Sequence, residues 1–128
     1  MNAEQMELAR RFAACPKWVW LPGMLAPGRG RVCGVDGGTL FFAGSDGRFN
    51  GDWEDHQCVP DLADALTRAG LLEVVRRAWG RNAWVREDES GWFQCDALFQ
   101  SPSLGTVERL GLGPSELHAL LAALEAAP

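Results

Sequence analysis

The sequence has no tyrosine, a single lysine at Lys17 and only two histidines, and it has no long apolar run. A membrane-spanning helix needs about 18 or more consecutive apolar residues. The start of the chain also lacks the basic segment and apolar stretch of a signal peptide. These absences predict a cytoplasmic protein with no membrane partner.

Positive charge is scarce, and the formal net charge is −5. A protein that binds nucleic acid without sequence preference needs a positive field along the phosphates. We therefore expect that this protein is not a generic nucleic-acid binder. The charge is compatible with binding to a basic protein surface or with mimicry of nucleic acid. It is also compatible with plain solubility.

The four cysteines, at positions 15, 33, 58 and 95, form no CxxC pair. Zinc sites usually show paired cysteines or histidines at short spacing. The sequence therefore predicts free thiols, no bound metal and no cofactor.

The clearest structural signal is a helix over about residues 64–79. Asp64 is a good N-cap and Gly80 a good C-terminal stop. Between them, apolar residues recur at three- and four-residue spacing on one face. These are Leu71, Leu72, Val74, Val75, Ala78 and Trp79.

Alternation and turn residues predict the other elements. The predicted elements are a helix from Asn2 to about Cys15, strands over 18–21, 31–35, 39–43, 48–58, 82–87, 92–99 and 107–112, and a last helix started by Gly113-Pro-Ser-Glu116 with the proline in its first turn. This order predicts an α+β fold in one domain, 1–128. An antiparallel sheet, made of a meander and a hairpin, would carry three helices, with the central one packed on it.

Three stretches together resemble a group of small proteins from tailed-phage and prophage genomes. They are Cys15-Pro-Lys-Trp-Val-Trp-Leu-Pro-Gly-Met24, then Pro60-Asp-Leu-Ala-Asp64 with Leu71-Leu-Glu-Val-Val-Arg-Arg-Ala-Trp-Gly80, then 113–128. Ala65 stands where proline is expected. The group has no established activity to carry over. The resemblance implies a phage accessory protein acting in the cytoplasm of the infected bacterial host.

The first functional hypothesis is a non-enzymatic protein that binds a host factor and antagonises antiviral defence. It would either occlude a host protein, as anti-CRISPR proteins do, or sequester a small nucleotide signal. The alternatives are a small enzyme and a structural or assembly component of the virion. The sequence does not define the oligomeric state.

The enzyme alternative rests on His56 with Asp52, Glu54 or Cys58. If this segment is extended, the four side chains share one face. Cys58 could then be a nucleophile with His56 as its base. The spacing fits no metal-site signature, which favours the other interpretation, an exposed acidic strand with Cys58 turned inward near Pro60.

Six tryptophans in 128 residues supply candidate contacts for a ligand or a partner. Trp18 and Trp20 share a face of a predicted strand, and Trp84 and Trp92 are expected to face each other across the second hairpin. Aromatic rings on a sheet can stack a base, although for most of these tryptophans packing of a helix onto the sheet is the favoured interpretation. Trp53 lies among charged residues, which predicts either an exposed interface anchor or a core residue.

Arginines complete the set of candidate binding residues. Arg31 begins the glycine-rich strands that run to Cys58, where recognition residues are expected. Arg76, Arg77 and Arg81 gather at the end of the central helix. They could clamp a phosphate or carboxylate, or simply offset the negative end of the helix dipole.

Overall fold

The first helix begins at the cap predicted for it. In a computed structural model that describes residues 1–100 and 105–128, α1 spans Ala3–Ala14. Asn2 Oδ1 accepts a hydrogen bond from the Gln5 amide at 2.8 Å, and Gln5 Oε1 accepts one from the Asn2 amide at 3.0 Å. This reciprocal capping box confirms the predicted start.

The central helix, α2, spans Ala65–Trp79. Asp64 Oδ2 accepts hydrogen bonds from the amide and the hydroxyl of Thr67, both at 2.9 Å. Gly80 follows the last residue with a φ of 63°, a left-handed conformation that glycine adopts without a steric penalty. Both ends lie within one residue of their predicted positions.

The last helix, α3, spans Glu116–Glu125. Its N-cap is Ser115, whose hydroxyl accepts a hydrogen bond from the His118 amide. The prediction that Pro114 occupies the first helical turn is therefore wrong. Pro114 precedes the cap, because the serine hydroxyl satisfies a free amide of the first turn that proline cannot.

Four strands form an antiparallel meander, here called sheet A, in the order β1-β2-β3-β4. They are β1 Leu25–Ala26, β2 Gly30–Asp36, β3 Thr39–Ala43 and β4 Phe49–Glu54. The fourth strand is predicted to continue to residue 58, but it ends at Glu54 because a one-turn 3-10 helix occupies Asp55–Gln57. The Asp55 amide donates to the Gly38 carbonyl at 2.8 Å as the strand ends.

Three further strands form sheet B, in the order β5-β6-β7. They are β5 Ala83–Glu87, β6 Phe93–Gln100 and β7 Gly105–Gly113. The α+β class is confirmed. The meander and the hairpin belong to two sheets, and the hairpin gains β7 as a third strand.

The predicted strand over Trp18–Leu21 is wrong, since these residues have no strand structure. Trp18 instead contacts Phe12 of α1, with ring centroids 6.0 Å apart, and meets Trp20 edge-on at 5.6 Å. Aromatic packing decides this segment, because β-propensity is a weak preference compared with the burial of large rings.

The chain divides into two compact units, residues 1–14 with 18–70 and residues 15–17 with 71–128. The single-domain organisation stays a prediction. Buried residues of the first unit include Leu8, Phe12, Trp20, Met24, Val32, Leu40, Phe42 and Leu62, and those of the second include Leu71, Val74, Val75, Ala97, Leu120, Leu121 and Leu124. None of the described helices is long and apolar enough to cross a membrane.

Helix α3 lies directly on the backbone of sheet B. A Cβ atom added at Gly111 would lie 2.5 Å from the amide nitrogen of Ala123. The Trp79 indole N–H donates to the Ala123 carbonyl at 2.8 Å, which ties α2 to α3. Val75 is buried as predicted, and Leu121 of α3 is buried as well. Leu72 and Trp79, on the same predicted apolar face as Val75, are only half-buried, and so is Leu117 of α3.

Candidate protein-binding face

The register of sheet A decides which side chains share a face. Residues directly opposite each other on antiparallel strands project to the same side. Across β3 and β4, Thr39 lies opposite Glu54, Phe41 opposite Asp52, and Ala43 opposite Phe49. Asp36 of β2 lies opposite Thr39 and continues the same face.

An irregularity in β4 brings an aromatic ring to this side. The pairing shifts between Phe42 and Ala43, so Asn50 is an extra residue without a partner. Without this bulge, Phe49 and Asp52 would alternate to opposite faces. Instead the ring of Phe49 lies against Phe41, with centroids 6.5 Å apart.

The resulting surface is called here the aromatic–acidic face. It consists of Asp36, Thr39, Phe41, Phe49, Asp52 and Glu54. Phe49 is 68% exposed, although burying a ring of this size is strongly favourable. An apolar ring held in water among carboxylates is the most unusual feature of this unit.

Trp53 belongs to the opposite face. It lies across from Leu40, which is fully buried. The Arg29 guanidinium covers its ring at 3.4 Å from the centroid, in a cation–π contact. Trp53 is 37% exposed, and its sequence neighbours Asp52 and Glu54 project away from it. It covers part of the core and is not the centre of an acidic rim.

Sequence reasoning therefore chose Trp53 and missed Phe49. Trp53 was chosen for its charged sequence neighbours, yet Asp52 and Glu54 project to the opposite face of the strand. The available signal was Gly51, because glycine inside a strand often marks a bulge. Its φ of 123° is a conformation that other residues rarely adopt.

The residues of the enzyme hypothesis do not assemble as a nucleophile and its base. The 3-10 turn places the His56 imidazole 3.3 Å from Glu54 Oε2, at the surface. The Cys58 thiol is buried and points to the Glu54 carbonyl. Burial raises the pKa of the Cys58 thiol, although the charge of Arg29 opposes this rise. In the described part of the chain, no hydrogen bond joins His56 to Cys58.

A small cavity of about 310 Å³ adjoins this turn and is lined by His56 and Cys58 together with Arg10 and Asp55. Residues 1–100 and 105–128 contain no group of three or more histidine, cysteine or acidic side chains able to hold a metal ion. All four cysteines are free thiols.

Arg31 acts in the fold. Its guanidinium donates to both carboxylate oxygens of Asp64, at 3.0 and 3.1 Å, and to the Gly23 carbonyl at 2.7 Å. The bonds from Arg31 lower the pKa of the Asp64 carboxyl. Arg31 thus joins β2 to the start of α2. It also lines an open cleft of about 600 Å³ with Leu25, Cys33 and Ser45.

The tryptophans of the second hairpin do not face each other as predicted. Trp84 lies opposite Asp96, while the Trp92 carbonyl accepts from the Asp88 amide one pair beyond the end of the ladder. The Arg86–Gln94 pair separates them. The register of a hairpin is set by the type and length of its turn. The spacing of the two tryptophans in the sequence does not determine that register.

The arginines at the end of α2 have separate partners. Arg76 donates to the Ala83 carbonyl at 2.8 Å, and Arg77 forms an ion pair with Glu73 at 3.2 Å. The Arg81 guanidinium lies 4.3 Å from the centroid of Phe99. These contacts fasten the helix end to its surroundings and do not form a common anion clamp.

Comparisons of the chain with protein-family models, with curated proteins and with solved structures found no match. The function therefore has to be inferred from the residues and their geometry.

Proposed function

We propose that this chain is a non-enzymatic phage accessory protein that binds a host protein through the aromatic–acidic face. The observation that carries the proposal is Phe49, which lies exposed against Phe41 beside Asp52 and Glu54. Exposed aromatic rings within a polar rim are typical of the centres of protein interfaces. Occlusion of a host protein is the mechanism that this surface favours.

The charge of the face selects the partner. Asp36, Asp52 and Glu54 project beside the two phenylalanines. Arg31, the basic residue in the row of Ala43 and Phe49, is bound to Asp64. A basic patch with an apolar side chain at its centre would complement this surface in charge and in polarity. The net charge of −5 favours encounter with the same kind of partner.

Recognition by side chains fits β4 better than addition of a partner strand. β4 is the last strand of sheet A and has a free edge. Its end is protected, since the Glu54 amide donates to Gln57 Oε1 at 3.3 Å and the Glu54 carbonyl receives the Cys58 thiol. Bulges and charged residues on an edge strand also oppose strand pairing.

The phage origin and the antagonism of host defence are supported by the resemblance of the three sequence stretches named above. An acidic protein of this size is suited to block a basic surface, such as one that contacts nucleic acid. The enzyme alternative gains no support from His56 and Cys58, which lack a direct contact.

The test is a quantitative pull-down from bacterial lysate, with and without phage infection, using the wild-type chain and the double variant Phe49→Ala/Asp52→Asn. A basic host protein should be retained by the wild type and lost by the variant. With the recovered protein purified, the double variant should bind about 30-fold more weakly or worse, as for the loss of an interface anchor.

Val107→Ala is the matched control, because Val107 is an exposed apolar residue of sheet B. It should bind the partner as the wild type does. Equal retention of every protein by the wild type and the double variant would exclude the aromatic–acidic face as the binding surface.

A further inference from the structure

The second unit has an open sheet face with buried polar groups at its centre. Gln94 and Asp96 of β6 are only 4% and 3% exposed. They alternate with Cys95, which lies opposite Gly111 in the row that carries α3. Gln94 and Asp96 therefore project to the side of sheet B away from that helix.

Two arginines from the flanking strands lie over these buried groups. Arg86 Nε donates to Asp96 Oδ2 at 2.8 Å, and Arg86 Nη2 approaches Gln94 Oε1 at 3.5 Å. Arg109 Nη2 donates to the same Gln94 oxygen at 3.2 Å. The two guanidinium groups are thus held side by side over the middle strand.

Among the described residues Arg109 has no direct ion pair, although the negative charge of Asp88 acts on it. Asp96 pairs with Arg86, whereas the Gln94 oxygen that holds Arg109 is neutral. Asp88, the nearby acid whose charge acts on Arg109, is bound within its own turn by Ser90 and the Trp92 amide. These bonds, Ser90 first, lower the pKa of the Asp88 carboxyl.

Arg109 has donors to spare for an oxyanion. In the described ranges of the chain, the only hydrogen bond of its side chain is the one from Nη2 to Gln94. Arg86 also keeps Nη1 unbonded there. Paired guanidinium groups with outward N–H donors suit the tetrahedral oxygens of a phosphate.

Two tryptophans lie on the same face: Trp84 in the row of Asp96 and Arg109, and Trp92 one row beyond Arg86 and Gln94. Trp84 precedes Arg86 by two residues on the same face, and Trp92 precedes Gln94 by two. Neighbouring rows on one face are about 6.6 Å apart, which is within the reach of one nucleotide. Trp92 is 45% exposed, so its ring is open to stacking by a base.

We propose that this surface, formed by Trp84, Arg86, Trp92, Gln94, Asp96 and Arg109, binds a nucleoside phosphate. The phosphate contacts the outward donors of Arg86 and Arg109, and the base stacks on Trp92. Two arginines and a net charge of −5 suit a single phosphorylated nucleoside better than a long strand. The site lies in sheet B and is independent of the aromatic–acidic face.

The test is isothermal titration of the purified chain with adenosine 5′-monophosphate and cytidine 5′-monophosphate. At least one should bind with a Kd below about 1 mM. It should bind roughly tenfold or more tightly than its unphosphorylated nucleoside or inorganic phosphate, because each of these lacks one of the two contacts. An unphosphorylated single-stranded oligonucleotide is the third comparison.

Two variants locate the site. Arg109→Gln should weaken nucleotide binding roughly tenfold or more, and Trp92→Ala at least about fivefold. Both side chains are exposed, so the fold should persist, which circular dichroism checks. Arg77→Gln, at an exposed arginine paired with Glu73, and Val107→Ala are the matched controls and should bind normally.

The proposal is overturned if neither monophosphate binds below about 1 mM, or if Arg109→Gln and Trp92→Ala both bind like the wild type. It is also overturned if inorganic phosphate binds as tightly as the nucleotide, since stacking would then contribute nothing. Binding of the oligonucleotide without binding of either monophosphate would exclude it as well.

Discussion

The open faces of the two sheets differ in whether their acidic side chains are buried with a partner or exposed to water. On sheet B, the buried acid Asp96 is covered by Arg86. On sheet A, Asp52 and Glu54 are exposed beside the exposed ring of Phe49. A polar group on a sheet is thus either paired within the protein or hydrated. Hydrated groups beside an exposed aromatic ring are available to a partner molecule.

The covered face of sheet B shows a third arrangement. Gly111 and Gly113 let α3 approach the strands so closely that a Cβ atom has no room. Gly34 lies on the open face of sheet A. A Cβ atom added there would make only ordinary contacts with Phe41. Close packing of α3 therefore depends on the absence of side chains at two positions.

The largest expected effect is that of Gly111→Ala. The added methyl group would collide with the Ala119 carbonyl and the Ala123 backbone, so α3 must move away from sheet B. We expect the free energy of unfolding to fall by about 3 kcal/mol or more, measured by urea denaturation. Gly34→Ala is the control and should change stability by less than about 1 kcal/mol. Equal effects would remove the distinction between the covered and the open face.

Asp96→Ala should have the next largest effect. It removes the buried carboxylate that accepts the hydrogen bond from Arg86 Nε. We expect a loss of about 2 kcal/mol in unfolding free energy. Asp52→Ala on sheet A should stay within about 0.5 kcal/mol of the wild type. A stable Asp96→Ala protein would show that the polar network is dispensable.

The Asp64 carboxylate gives a pH-dependent prediction. Hydrogen bonds from Arg31 lower its pKa in the folded chain below the ordinary value of 3.8. The stabilisation is therefore complete above pH 3.8 and is lost progressively as pH falls through the folded pKa. Asp64→Asn keeps a good N-cap but removes the charge. The stability difference between the two proteins, measured by urea denaturation from pH 6 to pH 2, should shrink below about pH 4.

That difference should be about 1 to 2 kcal/mol at pH 6. If the difference in unfolding free energy between the two proteins stays constant from pH 6 to pH 2, the charge of Asp64 does not stabilise the first unit. Asp64 would then contribute mainly as a helix cap.

The smallest expected effect is that of Phe49→Ala, which should change the unfolding free energy by less than about 0.5 kcal/mol because the ring is mostly in water. Trp53→Ala should cost roughly 2 kcal/mol, because the ring covers Leu40 and holds the Arg29 contact. Thermal and urea unfolding of both variants measure the two changes in stability. Reversed effects would show that Phe49 belongs to the core and Trp53 to the surface.

Local sequence signals predicted most of the elements. The capping residues Asn2 and Asp64 and the terminating Gly80 place helix ends within one residue of the structure. Asp36-Gly37-Gly38 places the turn between β2 and β3. These signals succeed because caps and tight turns are decided by atoms a few residues apart.

Long-range packing explains what the sequence did not reveal. Trp18 and Trp20 have the alternation of a strand, yet contacts with Phe12 and with each other decide their conformation. The division of the strands into two sheets follows from pairings between distant segments, which no local pattern encodes.

The composition and local pattern of the chain thus determined its charge, its class and the ends of its helices. Tertiary structure alone decided which side chains meet. A single unpaired residue, Asn50, moves Phe49 to the acidic side of sheet A. The register of sheet B brings Arg86 and Arg109 together over Gln94. Both sites depend on register, since a shift of one residue exchanges the two faces of a strand.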